Sequence, residues 1–195
     1  MASVACRCGE VEIRFLRPEA RLCLDCCCRD CFDALEWCAE RGGPSDHRRP
    51  GYPMKLTYLE NDVQVARGED RLRLFHLRKG GASVRCVAMC CRTCMAVDHP
   101  AYFRNVVMVL PGGGKLTYAN MPFPSMLRIN TRWWDATARG SLPDVSYPSY
   151  AYGPVFSIVK QFWASVEKSP RKGETIQDLF QRLGKPVNMG VEKPV

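Results

Sequence analysis

The feature that most constrains the fold of this chain is the placing of its cysteines. Its 195 residues include twelve cysteines, and most lie in three short stretches, CRC at 6–8, CLDCCCRDC at 23–31 and CCRTC at 90–94. The N-terminal segment lacks the basic start and apolar run of a secretion signal, so we expect a reducing, cytoplasmic setting. In such a setting, closely spaced thiols are more typical of metal ligands than of disulfides.

The composition is that of a soluble globular protein, with 46% hydrophobic and 25% charged residues. No apolar run is long enough to span a bilayer, so we expect no membrane-spanning segment. The formal net charge of +8 favours an anionic partner. That partner could be a nucleic acid, an acidic lipid surface or a small acid such as a carboxylate-bearing thiol, and the charge alone does not choose among them.

Short alternating segments separated by turn residues predict a mainly β protein with antiparallel strands. The first such segment is EVEIRFL at 10–16, and the others fall at 55–60, 63–67, 72–78, 83–89, 105–110 and 125–134. A short helix is predicted after the middle cysteines, ending at Gly42. We place one domain at 1–153 and a C-terminal extension with a basic tail at 154–195. The extension is predicted to contain helices at 154–168 and 175–184, followed by a loose tail.

The first and third cysteine groups together predict a structural zinc site. Such a site needs four ligands in a tetrahedron, commonly supplied as two close pairs from distant parts of the chain. Cys6 and Cys8 with Cys91 and Cys94 meet this requirement. The metal would tie the first strand to one about eighty residues later and offset the entropy of closing that loop.

The middle group predicts a second zinc site of a different kind. Cys26, Cys28 and Cys31 supply three ligands, and three protein ligands leave a coordination position for water or substrate. This is a catalytic arrangement. Spacing leaves open an alternative in which Cys23 or Cys27 supplies a fourth sulfur and closes the site.

The cysteine pattern resembles that of the glutathione-dependent formaldehyde-activating enzymes, a family that also includes centromere protein V. The residues that carry the resemblance are CRCGEVEIRF, then CCCRDC and later CCRTC, with RINTRWWD at 128–135 similar to a late strand of the family. It covers about the first two thirds of the chain. Two positions differ: Cys27 stands where the family has histidine, and Met95 stands where it has glycine after the last cysteine.

The resemblance implies a β-tent of twisted antiparallel sheets built around a structural zinc. It assigns that zinc to the two pairs named above and a second, catalytic zinc to the middle three cysteines. It also implies work on thiol adducts, the namesake reaction being the addition of glutathione to formaldehyde. Apart from RINTRWWD, the region after residue 110 follows no family pattern.

Zinc on three thiolates is an electron-rich centre that suits a fourth thiolate better than hydroxide. A bound thiol becomes a nucleophile at neutral pH and can attack a carbonyl carbon, and the reverse cleavage is equally available. We therefore predict a zinc-dependent carbon–sulfur lyase acting on glutathione-type adducts, or an enzyme like S-hydroxymethylglutathione synthase. The alternative is a non-catalytic zinc-binding module that binds chromatin or protein. Nucleic acid is not the partner we expect for the enzyme.

Overall fold

A computed structural model describes residues 1–49, 54–110, 112–139 and 169–191, together with the isolated residues 52, 147, 157, 162, 165 and 166. Twelve strands lie in this part of the chain, so the prediction of a mainly β protein is confirmed. The strands are β1 (Ala2–Ala5), β2 (Glu12–Phe15), β3 (Ala20–Cys26), β4 (Met54–Glu60), β5 (Val63–Arg67), β6 (Leu72–His76), β7 (Val84–Ala88), β8 (Thr93–Asp98), β9 (Val106–Val109), β10 (Lys115–Thr117), β11 (Arg128–Ile129) and β12 (Val187–Asn188).

The strands form two sheets. The smaller sheet has the order β10-β1-β2-β5, and all of its strands are antiparallel. The larger sheet has the order β11-β3-β4-β9-β8-β7-β6-β12. Its six central strands are antiparallel as predicted, but the short edge strands β11 and β12 pair in parallel with β3 and β6.

The larger sheet is covered on both faces. One face packs against the smaller sheet through residues such as Ile13, Leu72 and Cys86, which we call the first core layer. The other face, with residues such as Leu24 and Val87, packs beneath the long helix and forms the second core layer. Successive strand residues point to opposite faces, so two cysteines an odd number of positions apart on one strand, such as Cys23 and Cys26 on β3, belong to different layers.

Among the described residues, two α-helices longer than one turn frame this core. The first, α1 (Arg29–Glu40), begins directly after the middle cysteines and confirms the helix predicted there. A single turn, α2 (Ala136–Arg139), follows much later in the chain. The last, α3 (Ile176–Leu183), starts with a capping box between Thr175 and Asp178, as predicted from the sequence. It buries its apolar face in the first core layer.

The described part of the C-terminal segment, residues 169–191, is fixed to the sheets and is not loose as predicted. Backbone hydrogen bonds join Val63 to Glu174, and β12 extends the larger sheet. The Trp37 indole N–H donates to the Met189 carbonyl at 3.1 Å, which holds the segment against α1. The helix predicted at 154–168 lies largely outside the described residues. Within the part of the chain described, no helix is long and apolar enough to cross a membrane.

Candidate metal centres and cavity

Four cysteine sulfurs meet where the turn after β1 approaches the turn between β7 and β8. They belong to Cys6, Cys8, Cys90 and Cys91, and all lie within 4.8 Å of one another. The S···S distances are 3.5 Å from Cys6 to Cys8, 3.7 Å from Cys6 to Cys90, 3.4 Å from Cys8 to Cys90 and 4.0 Å from Cys90 to Cys91. A tetrahedral zinc with Zn–S bonds of about 2.3 Å requires sulfurs about 3.8 Å apart. The group therefore fits a zinc ion.

Hydrogen bonds favour the thiolate form of Cys91 in this four-cysteine group, whereas burial raises the pKa of Cys6 and of Cys90. The Val11 N–H donates to Cys6 Sγ at 3.3 Å, and Thr93 Oγ1 lies 3.2 Å from Cys91 Sγ. Burial raises the pKa of Cys91, but hydrogen bonds from Thr93 and Cys8 outweigh it and bring the pKa to about 7. Such bonds hold the sulfurs in the orientation in which they can ligate a metal.

Cys94, which the spacing predicted as the fourth ligand, does not join this group, and Cys90 takes its position. The reason is an irregularity in strand pairing: Cys86 pairs with Ala96 but Val87 pairs with Cys94, so Met95 is an extra residue. Cys94 therefore lies in the second core layer. Cys91 lies in the first, on the other side of the sheet.

Three further sulfurs converge at the start of α1. Cys26 is the last residue of β3, Cys28 caps the helix and Cys31 lies in its first turn. Their Sγ atoms all lie within 4.8 Å of one another. The Cys28 N–H donates to Cys26 Sγ at 3.4 Å, the Cys31 N–H donates to Cys28 Sγ at 3.3 Å, and Asn130 Nδ2 donates to Cys26 Sγ at 3.7 Å. The predicted middle group is thus assembled as one three-cysteine group.

The three thiols cannot all ionise without a cation. Hydrogen bonds from the Cys28 and Cys31 thiols hold the pKa of Cys26 well below its usual value. The same interaction with Cys26 raises the pKa of Cys28 to about 12 and also raises the pKa of Cys31. A divalent metal removes this repulsion, because it stabilises all three thiolates at once. This donor set suits zinc and other thiophilic metals.

Neither Cys23 nor Cys27 belongs to this group. Cys23 points into the first core layer, where its sulfur lies 3.5 Å from Thr57 Oγ1. Cys26, three residues further along, belongs to the second core layer. Cys27 is buried, and its N–H donates to the Ile129 carbonyl at 2.9 Å. Among the described residues, therefore, the group contains three sulfurs and no fourth.

The three-cysteine group opens onto a cavity of about 450 Å³. Most of its wall is apolar, and Leu22, Leu56 and Phe162 contribute to it. Among the described residues, the polar side chains of the wall are Asp30, Tyr58, Ser83, Arg85, His99, Tyr102 and Asn130. A mostly apolar cavity with a few convergent polar groups is the usual form of a small-molecule site.

Two of the polar groups can donate hydrogen bonds to a molecule in the cavity. The Ala101 N–H donates to His99 Nδ1 at 3.0 Å, so the proton of the neutral ring is assigned to Nε2. The Tyr102 hydroxyl donates to Met108 Sδ at 3.4 Å. Burial raises the pKa of Tyr102, so it remains a hydrogen-bond donor at neutral pH. His99 thus borders the cavity of the middle cysteine group rather than the four-cysteine group.

Sequence reasoning missed most of the cavity wall. Arg85 was one signal, since a charged residue at an inward position of an apolar strand is unusual. The aromatic pair at 133–134 does not line the cavity, and Trp133 is 42% exposed.

No protein-family model, curated protein or solved structure matches the chain.

Proposed function

We propose that this protein is a zinc-dependent enzyme that forms or cleaves a carbon–sulfur bond, of the glutathione-dependent formaldehyde-activating type. The observation that carries the proposal is the three-cysteine group facing a cavity large enough for a small organic molecule. A closed structural site would have four protein ligands and no such cavity. The resemblance of the cysteine pattern adds to this proposal, and so does the reducing, cytoplasmic setting that twelve free cysteines suit.

In this proposal Cys26, Cys28 and Cys31 hold a catalytic zinc, and the four-cysteine group holds a structural one within a β-tent. The catalytic ion would supply a Lewis-acidic position that accepts a substrate sulfur and favours its thiolate form. The apolar wall, with Leu22 and Leu56, excludes water and keeps an electrophile against that sulfur.

The remaining steps fall to side chains of the cavity. In the forward direction the substrate sulfur forms a bond to the carbonyl carbon while the C=O π bond breaks. The thiol proton ends on the former carbonyl oxygen, so no oxidant or reductant is consumed. His99 donates a hydrogen bond from Nε2–H to that oxygen, because its Nδ1 already accepts from the Ala101 N–H. Tyr102 donates a hydrogen bond to the oxygen as negative charge develops on it. The reverse sequence cleaves the adduct.

The test uses exchange NMR to measure the rate at which glutathione and formaldehyde interconvert with S-hydroxymethylglutathione. The rate with protein is compared with the uncatalysed rate. We expect acceleration by zinc-loaded protein and its loss in the Cys28→Ser variant. The matched control is Cys86→Ala, which removes a fully buried thiol outside both cysteine groups. Full acceleration by metal-free protein would refute the proposal.

Zinc content separates this enzyme from the non-catalytic alternative. A binding module requires only the four-cysteine group, so it would contain one tightly held zinc per chain. We expect two ions per chain, one of which exchanges readily. When cobalt replaces that ion, adding a thiol should change the absorption spectrum of the cobalt site.

A further inference from the structure

Arg85 is a buried cation with almost nothing to neutralise it. It lies on β7 and is 4% exposed. Its Nε has no hydrogen-bond partner, and its Nη2 donates to the Asp30 carbonyl at a distance of 3.5 Å. A guanidinium taken out of water without a partner is strongly unfavourable, so an anion that binds against it would be strongly stabilised.

The nearby carboxylates do not pair with Arg85. Asp30 and Asp33 both form ion pairs with Arg78, at 2.5 Å and 3.0 Å, and Asp33 also pairs with Arg29 at 2.7 Å. Within the described parts of the chain, no carboxylate lies within ion-pair distance of Arg85. The missing partner of Arg85 is thus an anion that the described residues do not supply.

Arg85 stands at the junction of two spaces. It lines the cavity that holds the three-cysteine group. It also lines a neighbouring cavity of about 190 Å³, bounded by Lys79 and the Gly80–Gly81 turn. Asp30, Ser83 and Arg85 are common to both cavities. A molecule with its sulfur at the cysteines can therefore place an acidic group against Arg85 and extend beyond it.

We propose that Arg85 binds a carboxylate of the substrate, so that the protein selects thiols and thiol adducts that carry an acidic group. The planar guanidinium suits a carboxylate, because two parallel N–H···O bonds can form, one of them from the Nε that lacks a partner. This inference rests on the proposed function for the position of the substrate sulfur. It adds the residue that recognises the acidic group of the substrate, which the cysteines alone do not define.

The test compares 3-mercaptopropionate with 1-propanethiol, two small thiols that differ chiefly by the carboxylate. Calorimetric titration of zinc-loaded protein is expected to show at least about tenfold tighter binding of 3-mercaptopropionate. In the Arg85→Met variant this preference should disappear while propanethiol binds as before. Arg85→Lys, which keeps the charge but not the paired donors, should retain part of the preference.

A second measurement does not depend on sulfur or on metal chemistry. Propionate added to labelled protein should shift the NMR signal of the Arg85 Nε–H, because that donor gains a partner. If propionate shifts the signal but 1-propanethiol does not bind and 3-mercaptopropionate binds no more tightly than propionate, the carboxylate site stands and the proposed function fails. Equal binding of the two thiols by wild-type protein would overturn the carboxylate site.

The rival role for Arg85 is to balance the negative charge of the three thiolates. In that case Arg85→Met would lose zinc and would bind both thiols more weakly by the same factor. Retained zinc content in Arg85→Met, with a loss confined to 3-mercaptopropionate, distinguishes carboxylate binding from this role. Loss of zinc with equal weakening of both thiols would overturn the proposal.

Discussion

Replacing Cys90 and Cys94 one at a time tests the arrangement of the four-cysteine group. Cys90 Sγ lies 3.4 Å from Cys8 Sγ and 3.7 Å from Cys6 Sγ. Cys94 belongs instead to the second core layer and is 1% exposed. We therefore expect Cys90→Ala to weaken metal binding and Cys94→Ala to leave it intact. Spacing alone predicted the opposite result.

The size of the effect follows from the loop that the metal closes. Cys8 and Cys90 are 82 positions apart. Treated as a covalent cross-link, closure of such a loop contributes about 4.5 kcal/mol to the free energy of unfolding. For a chain of this length that corresponds to a fall of about 9–18 °C in Tm on complete loss of the ion. Cys94→Ala removes one buried sulfur atom, and we expect it to cost about 1 kcal/mol, or about 2–4 °C.

The assay combines zinc content with thermal unfolding, each with and without a chelator. Cys90→Ala should lose one zinc per chain to the chelator and unfold at a lower temperature. Cys94→Ala should keep the ion of the four-cysteine group under the same chelator, as the wild type does, so the chelator should lower its Tm no more than it lowers that of the wild type. If Cys94→Ala loses the ion and Cys90→Ala keeps it, the assignment of Cys90 to the group is wrong.

Three further predictions concern the fold. Hydrogen bonds from Thr175 hold the pKa of Asp178 below its ordinary value of 3.8. The stabilising effect of its carboxylate is therefore present above pH 4 and is lost as pH falls through the lowered pKa. The free energies of urea unfolding of wild type and Asp178→Asn should differ at pH 6 and converge near pH 2. Gly68 has a φ of 73°, and a Cβ there would lie 2.4 Å from the Glu10 carbonyl oxygen, whereas Gly80 has a similar φ and open space around it. Gly68→Ala should therefore lower the free energy of unfolding more than Gly80→Ala. Equal losses would contradict the described contact. Leu179 is fully buried, so Leu179→Ala should cost about 2–5 kcal/mol in denaturant unfolding, and a loss below 1 kcal/mol would show that α3 is not part of the core.

Sequence patterns correctly predicted those elements that depend on residues close together in the sequence. The alternation of EVEIRFL corresponds to β2, and the capping pattern of Thr175 and Asp178 begins α3. The three-cysteine group was also predictable, because its members lie within six positions and a strand end followed by a helix start brings them together. In each case the residues that decide the structure are close in sequence.

Features decided by distant contacts were not predictable in this way. The extra residue Met95 in the β7–β8 pairing moves Cys94 to the other side of the sheet, and no spacing rule reveals it. The attachment of the C-terminal segment depends on Trp37, which lies 152 positions before Met189. Arg85 becomes meaningful only once its neighbours are known, since its position within β7 gives no indication of which partners it lacks.

The two parallel edge strands have a consequence for how the chain is made. β11 covers the edge of β3 and β12 covers the edge of β6. Both edge strands follow their partners by about a hundred positions, so during synthesis each edge stays uncovered until its edge strand emerges, which for β6 is close to the end of the chain. An uncovered strand edge is a template for pairing with another copy. A chain that stops before residue 187 is thus expected to self-associate through β6, which makes completeness of the C-terminus a condition for solubility as well as for stability.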